Sequence, residues 1–386
     1  MRRLMPMLAA LLLVLTGCRG LYPSEYLYQA EHEAPYAVKE VETTVPETEA
    51  PLPTAADYYE LRDVIRSFVL NGTEHGQIRV TEYGGDLEQD LRQVTRYLTN
   101  QDPISSYATD YISCEREETG DGWLIRVDAV YRRSANEIAS IRFVRGREAA
   151  VQAMYAALRD LQSSVTLQIS GYVREDYVEL LTSYCLEHPE ELPEVPAISV
   201  AVYPDTGNVR VVEVHFVYQN DRETLRSRKA EIESNLSAAY NYIHYSGSDR
   251  RKLQLLYSYF INRFSYTAAR NSADPYTLLC EGISDSRSFA SVVCCLCERA
   301  GMEAHLVRGH KNGLVWYWNI VRVEDRWAHL DYQTDVLAGE GLHLWTDEEM
   351  VNYSWDPRAF PACEPEPTEP AETGAETAAT AETEAG

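Results

Sequence analysis

The residues of this chain that could do chemistry are concentrated between positions 280 and 333. The stretch CEGISDSRSFASVVCCLCERAG (280–301) holds four cysteines and, near its start, Ser284. Two strand-like segments downstream, 316–323 and 326–333, contain His329 and Asp331. A thiol or hydroxyl beside a histidine that a third group orients can attack a carbonyl and form a covalent intermediate. The first question is therefore whether the elements around these residues could assemble such a site.

Metal binding is another chemistry that the cysteines could support. Cys294 and Cys297 form a C-x-x-C, but no second pair and no histidine cluster follows at the spacing of a zinc site. Together with Cys295 they fall in one predicted helix, where we interpret them as small buried apolar side chains. Without Cys18, seven cysteines remain, an odd number, and no disulfide framework is indicated. We expect no metal and no organic cofactor.

A helix is predicted directly after Ser284. Apolar residues recur at the spacing of one helical face, namely at Phe289, Val292, Val293, Leu296 and Ala300. Gly301 follows, where a residue in the left-handed conformation commonly ends a helix. Ser284, Asp285 and Ser286 are all residue types that cap a helix start, so the first helical residue stays open.

Three strands are predicted after this helix, over 303–309, 316–323 and 326–333. If Glu324 and Asp325 form a two-residue hairpin loop, the numbers of paired residues sum to about 649. Trp318 then lies opposite Asp331, and position 316 is its diagonal neighbour on the same face. A side chain at 316 could therefore contact the Asp331 carboxylate.

This run resembles the bacterial transglutaminase-like family, which has a papain-like core. The resemblance covers roughly 250–335 and rests on the order and spacing of five motifs: ADPYTLL (273–279), Gly282-Ile283-Ser284-Asp285-Ser286-Arg287-Ser288, Gly309, Trp316-Tyr317-Trp318-Asn319 and Trp327-Ala328-His329-Leu330-Asp331. It implies an α+β fold in which a helix packs on an antiparallel sheet.

The resemblance also implies a changed catalytic triad. In the family, a cysteine at the helix start is the nucleophile, a histidine lowers its pKa and an aspartate orients the histidine. Here Asp331 remains, Ser284 replaces the cysteine and Trp316 replaces the histidine. A serine hydroxyl needs a base, and an indole offers only an N–H donor. We therefore predict a degenerate domain, a pseudoenzyme that keeps the groove and uses it for binding or scaffolding.

An active amide-bond hydrolase or transferase with a rebuilt site is the alternative. Cys280 could be the nucleophile in a shifted register, or Ser284 could remain the nucleophile. His329 could supply the base, since it shares a strand face with Asp331. His305 or His310 could also reach the site, although His310 lies in GHKNGL, which we expect to be a flexible turn. A histidine nitrogen within hydrogen-bond reach of Ser284 or Cys280 would favour this alternative.

Aromatic side chains suggest what an inactive cleft could bind. Trp316, Tyr317, Trp318 and Trp327 could line a groove for a peptide or a sugar, although aromatic strand residues are more commonly packed in a core. The expected partner is a peptide, a cell-wall polymer or an envelope protein. A formal net charge of −25 argues against nucleic acid.

The N-terminus resembles a bacterial lipoprotein signal. Arg2 and Arg3 precede an apolar run, and Leu15-Thr16-Gly17-Cys18 resembles a lipobox. The resemblance implies cleavage before Cys18 and attachment of lipid to its thiol. We therefore expect an extracytoplasmic protein that is held at the cell membrane by this anchor.

The remaining chain shows a weak repeat with an offset of 87 positions, which relates Tyr131 to Tyr218. Each copy reads as helix, strand, helix and strand hairpin, so two small α+β units are expected before the transglutaminase-like domain. The expected organisation is a signal peptide at 1–17, an acidic disordered linker at 18–56, repeat units at 57–145 and 146–233, the transglutaminase-like domain at 234–358 and an acidic disordered tail at 359–386.

Overall fold

A computed structural model describes residues 51–263, 266–268 and 273–365. The predicted signal peptide, Cys18, most of the predicted linker and residues 366–386 of the predicted tail lie outside the described residues. Within the described residues, no helix is both long enough and apolar enough to cross a bilayer.

Helices and strands alternate through the described chain. The helices are α1 Tyr58–Leu70, α2 Leu87–Asn100, α3 Pro103–Ala108, α4 Ala135–Ala139, α5 Gly146–Arg159, α6 Tyr177–Glu187, α7 Arg222–Ile243, α8 Asp249–Arg263, α9 Ser286–Arg299 and α10 Tyr332–Ala338, with a π-helical turn at Thr277–Glu281 and a 3-10 turn at Pro357–Ala359. The strands are β1 His75–Val80, β2 Thr109–Thr119, β3 Gly122–Tyr131, β4 Arg142–Arg145, β5 Ser164–Ser170, β6 Ala197–Tyr203, β7 Val209–Val217, β8 Thr267–Ala268, β9 Ile283–Ser284, β10 Ala304–Lys311, β11 Leu314–Val323, β12 Arg326–Leu330 and β13 Tyr353–Ser354. The predicted α+β fold class is confirmed.

Two sheets precede the candidate site, and their strand orders correspond. The first has the order β1-β3-β2, and the second has the order β4-β5-β7-β6. In each, a hairpin follows a helix, and the second hairpin strand pairs antiparallel with the earlier strand, β1 or β5. Alternation of apolar residues explains the arrangement, since Ile78 and Val80 of β1 point to the buried face and their neighbours are exposed.

The second sheet contains one strand more than the first. This strand lies at the expected boundary between the two repeat units. The short strand β4 pairs in parallel with β5, so a boundary at 145 would separate β4 from its own sheet. The segment Arg-Phe-Val-Arg is short, and arginines stand at both ends. It therefore lacks the apolar run by which an edge strand could be recognised in the sequence.

The third sheet, with the order β12-β11-β10-β13, supports the candidate site. On one face it contacts α9, where the Asn319 amide donates to the Ala290 carbonyl over 2.9 Å. The predicted apolar face of α9 is buried in the hydrophobic core that this helix forms with the third sheet, together with Cys295 and Cys297. After the helix, Gly301 has the expected left-handed φ of 74°. The cysteines of the described chain are free thiols.

The hairpin register follows the sequence prediction for most of its length. Ile320 pairs with His329 and Val323 pairs with Arg326, as the predicted sum requires. Pairing ends at Leu330, so the predicted third strand is three residues too long and Trp318 has no strand partner at 331. The chain leaves the sheet there because the Asp331 carboxylate caps α10 by accepting the Thr334 N–H over 3.0 Å.

The described residues at the inner ends of the two predicted disordered segments are packed against the fold. Ala55 is buried in the first core, and the Pro53 carbonyl accepts the Arg79 N–H. At the other end, Cys363 is buried against the aromatic side of the third sheet. Burial of a single small side chain anchors each segment, whereas the surrounding Pro, Thr and Glu are typical of a solvated chain.

Candidate active site

Ser284 lies at the end of β9, one residue before the cap of α9. The cap is Asp285, whose carboxylate accepts the Ser288 N–H over 2.7 Å while the Ser288 hydroxyl accepts the Asp285 N–H over 3.1 Å. This capping box explains why α9 begins at Ser286. Ser284 is fully buried, and its Oγ has no hydrogen-bond partner among the described residues. The hydroxyl therefore has no described base beside it.

Trp316 makes the contact with Asp331 that the hairpin register predicts. Its Nε1–H donates to Asp331 Oδ2 over 2.8 Å. The indole thus preserves the donor half of a histidine–aspartate pair. It offers no second nitrogen with a lone pair, so it can take no proton from Ser284.

Asp331 is a buried carboxylate surrounded by donors. Besides Trp316, its Oδ2 accepts hydrogen bonds from Tyr353 Oη at 2.7 Å and Thr334 Oγ1 at 2.6 Å. Lys311 Nζ lies 3.2 Å from the same oxygen, and its ammonium group also faces the rings of Trp316 and Tyr353. Burial, followed by the adjacent Asp331 carboxylate, raises the pKa of the Tyr353 phenol above its usual value, so the phenol remains a donor. These contacts pair the negative charge that burial would otherwise disfavour.

A pocket of about 410 Å³ opens beside these residues. It is lined by Ala268, Ser284, Asp285, Ser286, Arg287, Val315, Trp316, Tyr317, Gln333 and Leu337. Its volume falls in the range of small-ligand sites. The structure therefore places Ser284 and Trp316 in one cleft, while Asp331 contacts Trp316.

Cys280 is not among the residues that line this pocket. It belongs to the π-helical turn, and its Sγ lies 3.4 Å from the Asn235 amide nitrogen. Burial, followed by the nearby Glu231 carboxylate, raises the pKa of the Cys280 thiol above its usual value. A raised pKa disfavours the reactive thiolate.

His329 lies in a separate hydrogen-bond network. Trp318 Nε1–H donates to His329 Nδ1 over 2.9 Å, and His329 Nε2 lies 2.8 Å from Asp347 Oδ1. Because the indole is only a donor, Nδ1 must accept and Nε2 must carry the proton. Burial lowers the pKa of His329 despite the opposing effect of Asp347. Both ring nitrogens are therefore engaged away from Ser284.

The two remaining candidate bases, His305 and His310, are exposed. His310 lies in β10, paired with Val315 and Ser354, and not in a flexible turn as the sequence suggested. The turn is limited to Asn312 and Gly313, which both have positive φ, as a two-residue Asn-Gly hairpin requires. His305 stacks on Trp327 with a centroid distance of 5.1 Å.

The four aromatic residues predicted for a groove separate into different environments. Trp316 and Tyr317 line the pocket, whereas Trp318 is buried against Tyr353, Trp355 and His329. Trp327 stacks on His305 and lines a different depression. Segment 342–363 folds over the outer face of the sheet and forms a second aromatic core, which buries Trp318 and has Trp316 and Trp327 packed against its edge.

One group of possible metal ligands was not foreseen from the sequence. His329 Nε2, an Asp347 oxygen and Cys363 Sγ lie within 4.8 Å of one another. A metal would need the Nε2 lone pair, and the proton would then move to Nδ1 and oppose the Trp318 N–H. Burial also raises the pKa of the Cys363 thiol to about 12. These residues therefore fit a fixed histidine tautomer better than a metal ion.

Lys311, Thr334, Tyr353 and Gln333 also belong to the site region, and sequence reasoning missed them. The first three bind Asp331, and Gln333 lines the pocket. Thr334 had a sequence signal, since it follows Asp331 by three residues in the spacing of a helix cap. Tyr353 comes from a distant strand, and the sequence contains no signal that would bring it there.

Comparison with known proteins gives a family match for the region that contains the pocket. Residues 237–355 match the transglutaminase-like superfamily. Among curated proteins, none matches the chain.

Three solved structures show only distant similarity. One structure, described as a TGase, is 10% identical to this chain in sequence. The match covers 59% of this chain and 68% of the chain in that structure, with a TM-score of 0.26. A provisionally assigned cysteine protease from Cytophaga hutchinsonii is 13% identical over 41% of this chain and 70% of its own, with a TM-score of 0.24. A provisionally assigned protease from Parabacteroides distasonis is 9% identical in sequence. The match covers 55% of this chain and 46% of that protease's chain, with a TM-score of 0.22.

Removing the Asp331 carboxylate should destabilise the domain strongly. Asp331→Ala leaves the Trp316 N–H, the Tyr353 hydroxyl and the Lys311 ammonium without their shared acceptor. We expect a loss of about 3–5 kcal/mol in the free energy of unfolding, measured by urea titration. Asp325→Ala is the matched control, because Asp325 is fully exposed, and it should change stability by less than about 0.5 kcal/mol. Equal effects of the two substitutions would contradict the proposed role of the carboxylate.

His329 should make the folded protein less stable as the pH falls. Its folded pKa lies below the unfolded value of about 6.5, so the unfolded chain binds a proton first. The contribution of His329 to the free energy of unfolding is fully present above pH 6.5. Below that pH it decreases by up to about 1.4 kcal/mol per pH unit.

Thermal unfolding at pH 7.5 and 5.5 measures this effect. His329→Gln supplies an acceptor for Trp318 and a donor for Asp347 without titrating, so its pH dependence should be smaller than that of the wild type. His310→Gln, an exposed change in the same sheet, should keep the wild-type dependence. An unchanged slope in His329→Gln would refute the assignment.

Proposed function

Residues 237–355 form a transglutaminase-like domain, and we propose that this domain is a non-catalytic binding module of a lipid-anchored extracytoplasmic protein. The observation that carries the proposal is the 2.8 Å hydrogen bond from the Trp316 indole to Asp331. The carboxylate that would orient a catalytic base orients an indole N–H instead. The pocket beside it remains open to a ligand of moderate size.

The chemistry of Ser284 supports this reading. A serine hydroxyl is essentially un-ionised near neutral pH and becomes a nucleophile only when a base takes its proton. The Oγ atom has no hydrogen-bond partner among the described residues. In serine proteases, loss of triad members leaves only the rate enhancement from binding and the oxyanion hole.

The alternative of a rebuilt hydrolase or transferase lacks a supporting contact in the described chain. His329 is bound to Trp318 and Asp347, and His310 is exposed on β10. The Cys280 thiol has a raised pKa and contacts Asn235. The arrangement favours ligand capture over catalysis.

Turnover assays test the absence of catalysis. The unmodified protein should release no fluorescent peptide from labelled casein and should transfer no fluorescent amine to it. Ser284→Ala and Cys280→Ala should give the same background signal. Activity in the wild type that either substitution abolishes would establish the rebuilt enzyme instead.

The same site offers a gain-of-function control. The double variant Ser284→Cys with Trp316→His restores a thiol and an imidazole in one pocket, with Asp331 available to orient the ring. We expect position 284 to react with iodoacetamide near neutral pH, as mapped by mass spectrometry. The single variant Ser284→Cys should react more slowly, because it lacks the imidazole that lowers the thiol pKa. Equal alkylation rates in the single and double variants would show that an imidazole at position 316 does not lower the pKa of a thiol at position 284.

The proposed lipid anchor is tested at Cys18. In a bacterial host, the full chain should fractionate with membranes and enter the detergent phase. Cys18→Ser should leave the protein in the aqueous phase, since no thiol remains to carry lipid. Cys114→Ser is the control and should not change the distribution. Membrane association that survives Cys18→Ser would contradict the anchor.

A further inference from the structure

The pocket beside Ser284 contains polar groups that have no protein partner. Ser284 Oγ and Gln333 Oε1 are both buried and accept or donate no hydrogen bond within the described chain. Both residues line the pocket, and each is more than nine-tenths buried. Buried polar atoms without partners are costly, so the two groups indicate where a ligand would make hydrogen bonds.

Arg287 is the cationic side chain among the residues that line the pocket. Arg287 lines it and donates to the Ala273 carbonyl over 3.2 Å, with no acidic group within ion-pair distance in the described chain. The first amides of α9 lie in the same place, and the start of a helix favours anions. This local cation stands out in a chain with a net charge of −25.

Asp285 is the other charged residue that lines the pocket, and its oxygens are occupied. Oδ1 accepts the Ser288 N–H over 2.7 Å, and Oδ2 accepts the Ala273 N–H over 2.9 Å. Ala273 is therefore held from both sides, by Asp285 at its N–H and by Arg287 at its carbonyl. The Asp285 carboxylate is engaged with the protein backbone, whereas the Arg287 guanidinium retains donors for a ligand.

Apolar side chains also line the pocket. Val315 and Leu337 line it and are largely exposed, at 52% and 45% of their surface. The neighbouring Leu314, at the tip of the β10–β11 hairpin, is 70% exposed. A ligand that fits this surface carries an apolar body next to its anionic group.

We infer that the pocket binds the free carboxylate at the end of a peptide whose last residue is apolar. Resting on the proposed non-catalytic function, this inference names the ligand class. The carboxylate faces Arg287 and the start of α9, with the Ser284 hydroxyl as an additional donor. The terminal side chain contacts Val315 and Leu337, and a peptide N–H reaches Gln333 Oε1.

Calorimetric titration with two matched peptides tests the carboxylate. N-acetyl-alanyl-alanyl-leucine has a free carboxylate, and its carboxamide has the same body without the charge. We expect the acid to bind at least about tenfold more tightly than the amide. The difference should shrink at high salt, because screening weakens charge pairs near the surface.

Variants assign the effect to Arg287. Arg287→Gln should weaken binding of the acid by about tenfold and leave the amide unchanged. Arg287→Lys keeps the charge and should retain most of the preference, which separates loss of charge from loss of fold. Arg251→Gln, on an exposed part of α8 and outside the pocket, is the matched control and should bind like the wild type.

The outcomes separate this inference from the proposed function. Equal affinity for acid and amide, or binding of neither, overturns the carboxylate assignment but leaves a non-catalytic domain intact. Cleavage of the peptides, detected by mass spectrometry of the recovered material, contradicts the non-catalytic function while the preference for the acid is still measured. A parallel titration with soluble peptidoglycan fragments that end in D-alanine identifies the source. Binding there assigns the carboxylate to the cell wall, and binding only to the L-peptide assigns it to protein C-termini.

Discussion

The buried carboxylate of Asp331 is the constraint on which the candidate site depends. A charge can be held out of water only where donors surround it. Here donors come from four parts of the chain: Lys311 on β10, Trp316 on β11, Thr334 on α10 and Tyr353 on β13. The same residue ends β12 and caps α10. The Asp331 side chain thus contacts both the helix that follows β12 and Trp316, which lines the pocket.

The contact with Trp316 shows how this carboxylate is satisfied without a histidine beside it. An indole N–H satisfies the acceptor as an imidazole N–H would, so the fold around Asp331 needs no proton-accepting group. Lys311 adds a positive charge beside the carboxylate and faces the ring of Trp316. The pocket wall is therefore stabilised by interactions that do not depend on catalysis. Arg287 and the start of α9 line the adjoining cleft.

The aromatic core on the outer face of the sheet has a different physical role. Trp318 and His329 are covered by segment 342–363, and Asp347 orients the imidazole from that segment. Gly309 permits the close approach, because a Cβ there would lie 2.3 Å from the Ser354 carbonyl and 2.6 Å from the Trp318 ring. A histidine that could have served as a base is instead a fixed hydrogen-bonding element of the core.

Local sequence determined the elements that local interactions control. The apolar period of α9, the Glu324–Asp325 hairpin register and the proximity of position 316 to Asp331 all follow from spacing, because 3.6-residue and two-residue periods are set by backbone geometry. The strand at 326–333 was predicted too long because the capping bond from Thr334 competes with strand pairing at Asp331. Only the tertiary structure decided that Tyr353 and Lys311 reach Asp331, that His329 turns to Trp318 and Asp347, and that Trp318 is buried while Trp316 lines the pocket. These outcomes depend on contacts between segments that are distant in sequence. Residue type and periodicity do not specify which distant donor will form a hydrogen bond with a buried acceptor.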